Sequence, residues 1–472
     1  MRGGRQPDAA IPLLERLLRR YAPRNDDFKH AFNFDRPLVE GMQMTVSDKR
    51  KPELMAPAGD MISLRAALEA GADAVYFGVV SMNMRASARN FAACEMFEIA
   101  GLCHEYGAKA YLAMNTIVYD SELDLAETLV EQAAVAGIDA IICWDFAILD
   151  LALRYKIEAF VSTQMSVANS SALAFFYRHF GVKRFVLARE CTLDEIVSIR
   201  RNLMAQLGEA ADKIEIEVFA HGAMCVSVSG RCFMSQIAFN QSANRGECRQ
   251  PCRREYEIRD LRDGKEFIIG QDYIMSPRDL CTLPFLDKLL SAGIDSFKIE
   301  GRGRSPEYVS EVTACYRAYI DFYYAHHADD DFAESSDKLK GELMKRLDAV
   351  FHRGFSEGFY FGRQIGEWSG GNGSKATHRK VHVGVVTNFF KKVMVAEIKV
   401  EGAGFAQGDE LMFQGNATGV LTQKVESIEE ALKPVPRAEK NSLVGVRLAQ
   451  VVRENDQVYI MVPVDEVENA RQ

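Results

Sequence analysis

The chain has 472 residues, of which 48% are hydrophobic and 26% are charged, and its formal net charge is −9. This composition is typical of a globular protein, and the length corresponds to about two to four domains, or fewer if one is a large α/β barrel. The acidic balance excludes a globally basic nucleic-acid coat protein but leaves room for a local basic face. Ten cysteines in so long a chain do not indicate a small disulfide scaffold.

The sequence contains no run of about 18 apolar residues, so it predicts no transmembrane helix and no membrane partner. Residues 1–50 are predicted to be an N-terminal extension with one short helix. This extension is rich in arginine but lacks the apolar region of a secretory signal. A reducing, cytoplasmic compartment fits these features best.

From residue 51 the sequence alternates short apolar runs with amphipathic segments, which indicates parallel strands joined by helices. Eight βα units over about 270 residues match a (β/α)8 TIM-like barrel. An open doubly wound sheet is the alternative, but APAGD, and not G-x-G-x-x-G, follows the first strand. The barrel strands are predicted at Leu54–Ala56, Ala74–Gly78, Lys109–Asn115, Ala140–Trp144, Ala159–Thr163, Arg184–Leu187, Ile214–Ala220 and Ser296–Ile299.

Three polar residues at the carboxyl ends of the last two strands are the predicted catalytic residues, because active sites of such barrels lie at these ends. Lys298 and Glu300 alternate along one strand and its end, so they share a face and point into the barrel. Buried charges are costly unless they are paired or used. A structural ion pair is the alternative for these two. His221 is predicted to be a general acid or base, or else to hydrogen-bond a loop.

A segment directly after the seventh strand, residues 220–252, has four cysteines in the spacing C-x6-C-x15-C-x3-C. Four thiolates suit an iron–sulfur cluster or a tetrahedral zinc ion. The loose first pair favours the cluster, because structural zinc sites usually use two tight pairs. Buried cysteines without a ligand are the third possibility. The predicted ligands, which would lie over the barrel mouth, are Cys225, Cys232, Cys248 and Cys252.

Beyond the eighth strand, Ser305 and Pro306 mark the start of a long helix as its N-cap and first-turn residues. From Lys380 apolar residues alternate with a period of two, which predicts a small antiparallel β-barrel that presents RNA or protein to the catalytic domain or braces it. The predicted domains are an extension (1–50), a barrel (51–330) with a cysteine-rich insertion (222–275), a helical and linker region (331–378) and a C-terminal β-barrel (379–472).

Six stretches of the sequence are distinctive: ELMAPAGD (53–60), FAHGAMCVSVSGRCFMS (219–235), NRGECRQPCRREY (244–256), SPRDL (276–280), FKIEGRGRSPEYV (297–309) and HRGFSEGFYFG (352–362). Together they resemble the family of collagenase-like peptidases of unassigned catalytic type, peptidase family U32, and within it the proteins of tRNA 5-hydroxyuridine formation. The resemblance implies a barrel-like catalytic domain and a four-cysteine 4Fe-4S site. In some relatives a downstream cysteine replaces the last ligand; here Cys281 would replace Cys252, but the intact x3 pair favours Cys252.

The resemblance also implies an activity, the hydroxylation of a wobble uridine in tRNA to 5-hydroxyuridine without molecular oxygen as a direct co-substrate. Prephenate is the implied metabolite, and a protein partner or homo-oligomer is possible. One alternative is a collagenase-like peptidase, although the sequence has neither H-E-x-x-H nor G-x-S-x-G. The other is an iron–sulfur subunit that supports a partner hydroxylase.

If RNA is the substrate, arginines near the cysteines would form a cationic face that holds phosphates while a base is extruded into the pocket. The predicted RNA-binding residues are Arg231, Arg249, Arg253, Arg254 and Arg302, and the candidate stacking residues are Phe233, Tyr256 and Tyr76. The alternative is that the arginines pair with surface carboxylates and the aromatic residues fill the core.

Overall fold

The computed structural model describes residues 51–86, 88–256, 258–259, 262, 266–267, 275–362, 367–369 and 373–464. The predicted N-terminal extension lies outside these residues. No helix in the described part of the chain is long and apolar enough to cross a membrane.

Seven short strands follow one another along the chain, and each pairs in parallel with the next. Nearly all of their residues are buried, as expected for strands covered on both faces. They are β1 (Glu53–Pro57), β2 (Ala74–Phe77), β3 (Lys109–Met114), β4 (Ala140–Cys143), β5 (Glu158–Val161), β6 (Arg184–Val186) and β7 (Glu215–Ala223).

Six helices connect these strands and cover the outside of the sheet. Polar side chains start several of them: Asp60 accepts a hydrogen bond from the backbone of Ser63, and Thr192 forms a capping box with Glu195. The helices are α1 (Met61–Glu69), α2 (Met96–Glu105), α3 (Leu123–Val135), α4 (Phe146–Arg154), α5 (Ser170–Phe180) and α6 (Leu193–Leu207).

The segment after β7 carries the cysteines and returns the chain to the barrel. Its elements are α7 (Met234–Phe239), β8 (Ile258–Arg259), β9 (Glu266–Phe267), β10 (Asp279–Cys281), α8 (Leu286–Ser291) and β11 (Ser296–Ile299). Strand β11 pairs in parallel with both β7 and β1, which closes a barrel of eight parallel strands. This confirms the predicted (β/α)8 fold.

An ion-pair network lies inside the barrel at the amino-terminal ends of the strands. Arg184 donates from Nε to Glu215 Oε2 (2.7 Å) and from Nη2 to Glu53 Oε2 (3.2 Å). The guanidinium also lies 4.0 Å from Glu217 Oε2, and Tyr111 donates to Glu53 (2.7 Å). The positive charge of Arg184 pairs with carboxylates that would otherwise lack a cation inside the barrel.

Two helices and a short strand follow the barrel: α9 (Pro306–His326), α10 (Phe332–Ala349) and β12 (Phe355–Ser356). Strand β10 pairs antiparallel with the end of β7, and β12 extends the sheet by pairing in parallel with β10. The chain after the helices thus adds to the carboxyl-terminal rim of the barrel.

The C-terminal part is antiparallel, as the alternating pattern predicts. Its strands are β13 (His378–Phe390), β14 (Val395–Val400), β15 (Phe405–Ala406), β16 (Glu410–Gly415), β17 (Gly419–Lys424), β18 (Ile428–Glu430), β19 (Lys433–Val435), β20 (Arg437–Ala438), β21 (Leu443–Arg447) and β22 (Gln457–Pro463). Eight of these strands form one sheet in the order β17-β16-β22-β13-β14-β21-β18-β19, and β15 pairs with β20. The strands enclose a core of aliphatic residues with Phe405 and Phe413.

Candidate active site at the carboxyl end of the barrel

A cavity of about 1150 Å³ opens at the carboxyl ends of the barrel strands. Its floor is formed by strand ends and the loops that follow them, including Tyr76, Lys298 and Glu300. The cysteine segment forms one wall. The C-terminal sheet forms part of the entrance with Lys380, Gln414, Gln457 and Tyr459. The predicted position of the site, over the barrel mouth, agrees with this geometry.

The entrance residues of the C-terminal sheet are tied to the barrel through one carboxylate. Glu307, in the first turn of α9, accepts hydrogen bonds from Lys380 Nζ and Gln414 Nε2, both at 2.9 Å. Burial would raise the pKa of Glu307, but these partners lower it. The sheet is therefore fixed against the barrel as part of the cavity wall.

The four cysteines of segment 220–252 all line this cavity. Backbone N–H groups donate to two of the sulfurs: Ser227 to Cys225 Sγ (3.4 Å) and Met234 to Cys232 Sγ (3.3 Å). Burial raises the pKa of the Cys252 thiol to about 11, and the other three thiols act in the same direction. The thiol of Cys252 is thus near those of the other three cysteines.

The arrangement of the thiols bears on which inorganic group they fit. Among the described residues, no three Cys, His, Asp or Glu side chains converge on the position of a single ion. Tetrahedral zinc, with Zn–S bonds of about 2.3 Å, needs its sulfurs within about 4 Å of one another. A cubane cluster binds each thiolate through a different iron atom, and backbone N–H···S bonds tune such clusters. Four cysteine thiols on one cavity are a donor set that suits either group.

Cys281 lies on β10, away from the cavity lining as far as the chain is described. It is only 2% exposed, and its sulfur contacts Met344 Sδ (3.8 Å) and Tyr316 Oη (3.9 Å). Burial raises the pKa of this thiol to about 12. The structure therefore groups Cys252, and not Cys281, with the other three cysteines.

Lys298 and Glu300 both line the cavity, but each has its own partners. Lys298 Nζ donates to Glu217 Oε1 (3.2 Å) and lies 4.2 Å from the centre of the Tyr76 ring. Burial raises the pKa of Glu217, which Lys298 and Arg184 oppose. Lys298 therefore pairs with Glu217 and not with Glu300, as the structural alternative had it, and its predicted catalytic role stays a prediction.

Glu300 lies among arginines. Its Oε1 accepts from Arg85 Nη2 (3.0 Å), and its Oε2 lies 3.8 Å from Arg189 Nη2. Burial alone would raise the pKa of Glu300, but Arg85, Arg189 and Arg302 lower it to about 2. A carboxylate of such low pKa is a weak general base. Glu300 thus orders the arginines around the floor as a permanent anion.

Two glycines make room for the loop that carries Glu300 and Arg302. Gly222 has φ +110°, and a Cβ there would lie 2.3 Å from the backbone oxygen of Glu300. A Cβ on Gly78 would lie 2.1 Å from Arg302 Nη1. Larger residues at these positions would displace the floor of the cavity.

The predicted RNA-binding arginines occupy different environments. Arg249 and Arg254 are exposed on the cavity wall, where Arg254 lies 4.5 Å from the ring centre of Phe239. Arg302 lies on the floor. Arg231 is exposed outside the described lining and donates to Ser166 Oγ (3.0 Å).

Arg253 also lines the cavity, but its guanidinium is buried and already bonded. It donates to Ser276 Oγ (2.7 Å), to the backbone oxygen of Pro277 (2.5 Å) and to that of Met224 (2.6 Å). These bonds join the cysteine segment to the start of β10. The residue therefore positions the loops, and a phosphate contact is not supported by its geometry.

The three candidate stacking residues also lie in different environments. Phe233 is 70% exposed and Tyr256 is also exposed, both outside the described cavity lining. Tyr76 lines the cavity but is buried beneath Lys298, and its hydroxyl donates to the backbone of Ile299 (3.0 Å). Phe233 and Tyr256 are thus the two candidates whose exposed rings could stack on a base.

Sequence reasoning missed four arginines that line the cavity: Arg85, Arg89, Arg189 and Arg353. Their positions in the sequence, close behind predicted strands or inside a distinctive stretch, could have identified them. Arg189 comes directly after a strand, Arg85 and Arg89 lie in the loop after β2, and Arg353 belongs to the stretch 352–362. In such a barrel the loops after the strands also line the active site, so their polar residues are candidates as much as those at the strand ends.

His221 is not among the described residues that line the cavity, so the acid–base prediction is not supported. The pairing between β7 and β11 shifts register next to His221, and this irregularity sets the ring among aromatic residues. The ring lies 5.6 Å from those of Tyr316 and Phe355, and Nδ1 is 3.3 Å from the Tyr316 hydroxyl. His221 is a core residue.

A pH-dependent stability follows from this environment. Burial, together with the charges of His352 and Arg304, lowers the pKa of His221 to about 3. The unfolded chain binds the proton near pH 6.5, so stability is expected to fall as pH decreases below 6.5, by at most about 1.4 kcal/mol per pH unit from this residue. Urea unfolding between pH 5 and 7 should show a shallower slope in His221→Phe. An unchanged slope would contradict this, and the exposed His326 supplies the control, His326→Phe.

Comparison with known proteins places these features in a family. The model described as Peptidase family U32 matches residues 59–370. A protein named Collagenase from Porphyromonas gingivalis is 41% identical over 410 residues, which cover 86% of this chain and 97% of that protein. The tRNA hydroxylation protein P1 of Bacillus subtilis is 34% identical over 388 residues, which cover 80% of this chain and 87% of that protein.

A further relative is the 23S rRNA 5-hydroxycytidine C2501 synthase of Escherichia coli, which is 36% identical over 68% of this chain and 47% of its own length. The relatives therefore include proteins named for RNA hydroxylation and proteins named for proteolysis. The family model covers well over half of the chain, including the cysteine segment and the strands on both sides of it. The chain belongs to peptidase family U32.

Proposed function

We propose that this protein is an RNA-modifying enzyme that hydroxylates a wobble uridine of tRNA to 5-hydroxyuridine. The observation that carries the proposal is the convergence of four thiols, a buried lysine and several arginines on one cavity. Relatives named for hydroxylation of tRNA and of 23S rRNA support this class of reaction. A pyrimidine nucleotide is small compared with the cavity, so an extruded base can be accommodated.

Cys225, Cys232, Cys248 and Cys252 are the proposed ligands of a 4Fe-4S cluster. A cluster bound there would supply electron transfer next to the cavity. Ser227 and Met234 support two of the ligands through their N–H groups, and Arg253 joins the segment to the barrel. Replacement of a C–H bond of the base by a C–OH bond is a two-electron oxidation, so the reaction requires an oxygen donor and, beside the cluster, an acceptor of the two electrons. A small metabolite such as prephenate is the proposed co-substrate.

Phosphates of the RNA would be held by Arg249 and Arg254 on the wall of the cavity, where both are exposed. Lys298 and Arg302 then face the extruded base and the co-substrate from the floor. Phe233 lies in the cysteine segment with most of its ring exposed and is the proposed platform for a neighbouring base. We place the protein in the reducing cytoplasm, with tRNA as its partner and a homo-oligomer or protein partner as a further possibility.

The test is mass spectrometry of nucleosides from bulk tRNA of a deletion strain that is complemented with wild type, Cys225→Ala or Cys281→Ala. We expect 5-hydroxyuridine and its derivatives to fall on deletion and to return with wild type and Cys281→Ala, but not with Cys225→Ala. Unchanged nucleosides in the deletion strain, with no second enzyme responsible, would refute the proposal. Activity in vivo without activity of the purified holoprotein on tRNA would instead favour the partner-subunit alternative.

A collagenase-like peptidase is the second candidate, because the relative from Porphyromonas gingivalis carries that name. The cavity gives this candidate less support. No histidine is found among its described lining residues, so a serine or cysteine nucleophile there has no histidine base. Cleavage of denatured collagen by wild type, with loss in Lys298→Met but not in Cys225→Ala, would favour proteolysis.

A further inference from the structure

One side of the cavity lining is uncharged. Strands β3 to β6 and the residues directly after β3 and β5 contribute seven of the described lining residues, and none of these seven carries a charge. Three of them are apolar, and the four polar ones are Asn115, Ser162, Thr163 and Gln164. A neutral, flat ring such as a pyrimidine base can contact this side without leaving a buried charge unpaired, whereas RNA phosphates are attracted to the arginines elsewhere in the lining.

Asn115 directly follows β3, and its side-chain amide has one fixed orientation. Its Oδ1 accepts a hydrogen bond from the backbone N–H of Met84 (3.0 Å). Because a backbone N–H can only donate, the amide oxygen is held there and the NH2 group is turned away. The backbone oxygen of Asn115 accepts from Trp144 Nε1 (2.9 Å), which fixes the position of the residue.

Gln164, in the turn after β5, repeats this arrangement. Its Oε1 accepts from the hydroxyl of Ser162. Among the described residues neither Asn115 Nδ2 nor Gln164 Nε2 has an acceptor, and neither nitrogen is fully buried. The hydroxyl of Thr163, by contrast, is used within the protein, since it donates to the backbone oxygen of Leu187 (3.3 Å). Two NH2 groups are thus left to bind a ligand in the cavity.

Uracil and cytosine differ in how they meet such donors. Uracil has carbonyl oxygens at positions 2 and 4, and both accept hydrogen bonds; cytosine keeps O2 but has an amino group, which donates, at position 4. An amide NH2 group facing that amino group would leave both donors buried without an acceptor. Two amide donors therefore match uracil and reject cytosine. This choice separates members of the family, since one relative is named a 5-hydroxycytidine synthase.

We propose that Asn115 and Gln164 determine which base the cavity accepts. Their NH2 groups donate to O2 and O4 of an extruded uracil, one group to each oxygen. The oxygens of the same two amides are held by Met84 and Ser162, so the donors cannot be exchanged for acceptors by rotation of the amide. This inference rests on the proposed function for its RNA substrate and adds the residues that distinguish uracil from cytosine.

The test is equilibrium binding of the purified holoprotein to an anticodon stem-loop RNA with uracil, cytosine or no base at the wobble position. We expect wild type to bind the uracil RNA about tenfold more tightly than the cytosine RNA, and also more tightly than the abasic RNA. Asn115→Asp and Gln164→Glu each replace an NH2 group by an oxygen and keep the oxygen that is bonded within the protein. The variant whose residue faces position 4 should lose or reverse the preference, because its new oxygen accepts from the amino group of cytosine. The other variant should weaken binding of uracil and cytosine alike, relative to the abasic RNA.

Two controls separate this effect from added charge and from altered packing. Gln250→Glu adds the same charge on the exposed wall of the cavity and should weaken binding of all three RNAs by one common factor. Thr163→Val removes a polar group next to Gln164 whose hydrogen bond is internal, and it should keep the tenfold preference.

Equal affinity of wild type for the uracil and cytosine RNAs would overturn the proposal while leaving RNA as the substrate. A preference that survives in both Asn115→Asp and Gln164→Glu would do the same. Absence of binding to any of the three RNAs would overturn this proposal together with the proposed function. Unchanged tRNA nucleosides in the deletion strain, with a uracil preference that one of the two variants abolishes, would refute the hydroxylase but keep Asn115 and Gln164 as residues that bind the base.

Discussion

Cys252→Ser is expected to lose most of its iron and its visible absorbance, whereas Cys281→Ala should retain both. The reason is geometric: Cys252 lines the cavity with the three other thiols, and Cys281 packs between Met344 and Tyr316 on the outside of β10. A cluster that loses one of four ligands binds less tightly. Iron and acid-labile sulfide per chain, measured on protein purified without air, check this expectation.

The two variants also differ in their effect on stability, so the free energy of unfolding is measured for each. Cys281→Ala removes a buried sulfur and is expected to lower the free energy of unfolding by about 1 kcal/mol, as small cavities do. Its iron content should nevertheless equal that of wild type. Equal iron in wild type and Cys252→Ser, with loss in Cys281→Ala, would reverse the assignment of the fourth ligand. Zinc in place of iron in the wild-type protein would refute the cluster.

Arg184→Met is expected to lower the free energy of unfolding by about 3–5 kcal/mol, because it leaves buried carboxylates without their cation. Arg184 is 3% exposed and contacts Glu53, Glu215 and Glu217. Urea unfolding at pH 7 measures the change. Adding Glu53→Gln to the variant should restore part of the lost stability, since Glu53 is a carboxylate that the variant leaves without its cation.

An exposed arginine provides the control for this effect. Arg154 also contacts two carboxylates, Glu127 and Asp150, but all three side chains are more than 40% exposed. Arg154→Met should therefore change the free energy of unfolding by less than about 1 kcal/mol. Similar losses in both variants would show that the network inside the barrel contributes no more than a surface ion pair.

The barrel could be predicted because each strand is a short apolar run followed by an amphipathic helix, and these patterns are local. The same holds for the grouping of the four cysteines, since they lie within one segment after β7. The partners of Glu300 could not be predicted, because Arg85 lies 215 residues away along the chain. Sequence alternation placed Lys298 and Glu300 on one face but carries no information on the loops that reach them.

His221 illustrates a second limit of sequence reasoning. Its position at a strand end suggested a place in the site, yet a shift of register between two strands turned the ring into an aromatic core. Irregularities of this kind depend on the pairing of distant strands. The bonds of Arg253 could not be predicted for a similar reason, because its acceptors come from residues 224, 276 and 277, which only the fold brings together.

The split of the cavity between a barrel floor and an entrance on a separate sheet has an evolutionary consequence. Gln414 lies on β16 and Tyr459 on β22. Both strands belong to the C-terminal sheet, which has its own hydrophobic core, and neither is part of the barrel. Substitutions on these strands reshape the opening without disturbing the thiols or the arginines beneath it. Selection for a different substrate can therefore act on one module while the other keeps its chemistry, and Glu307 marks the joint at which the two must stay compatible.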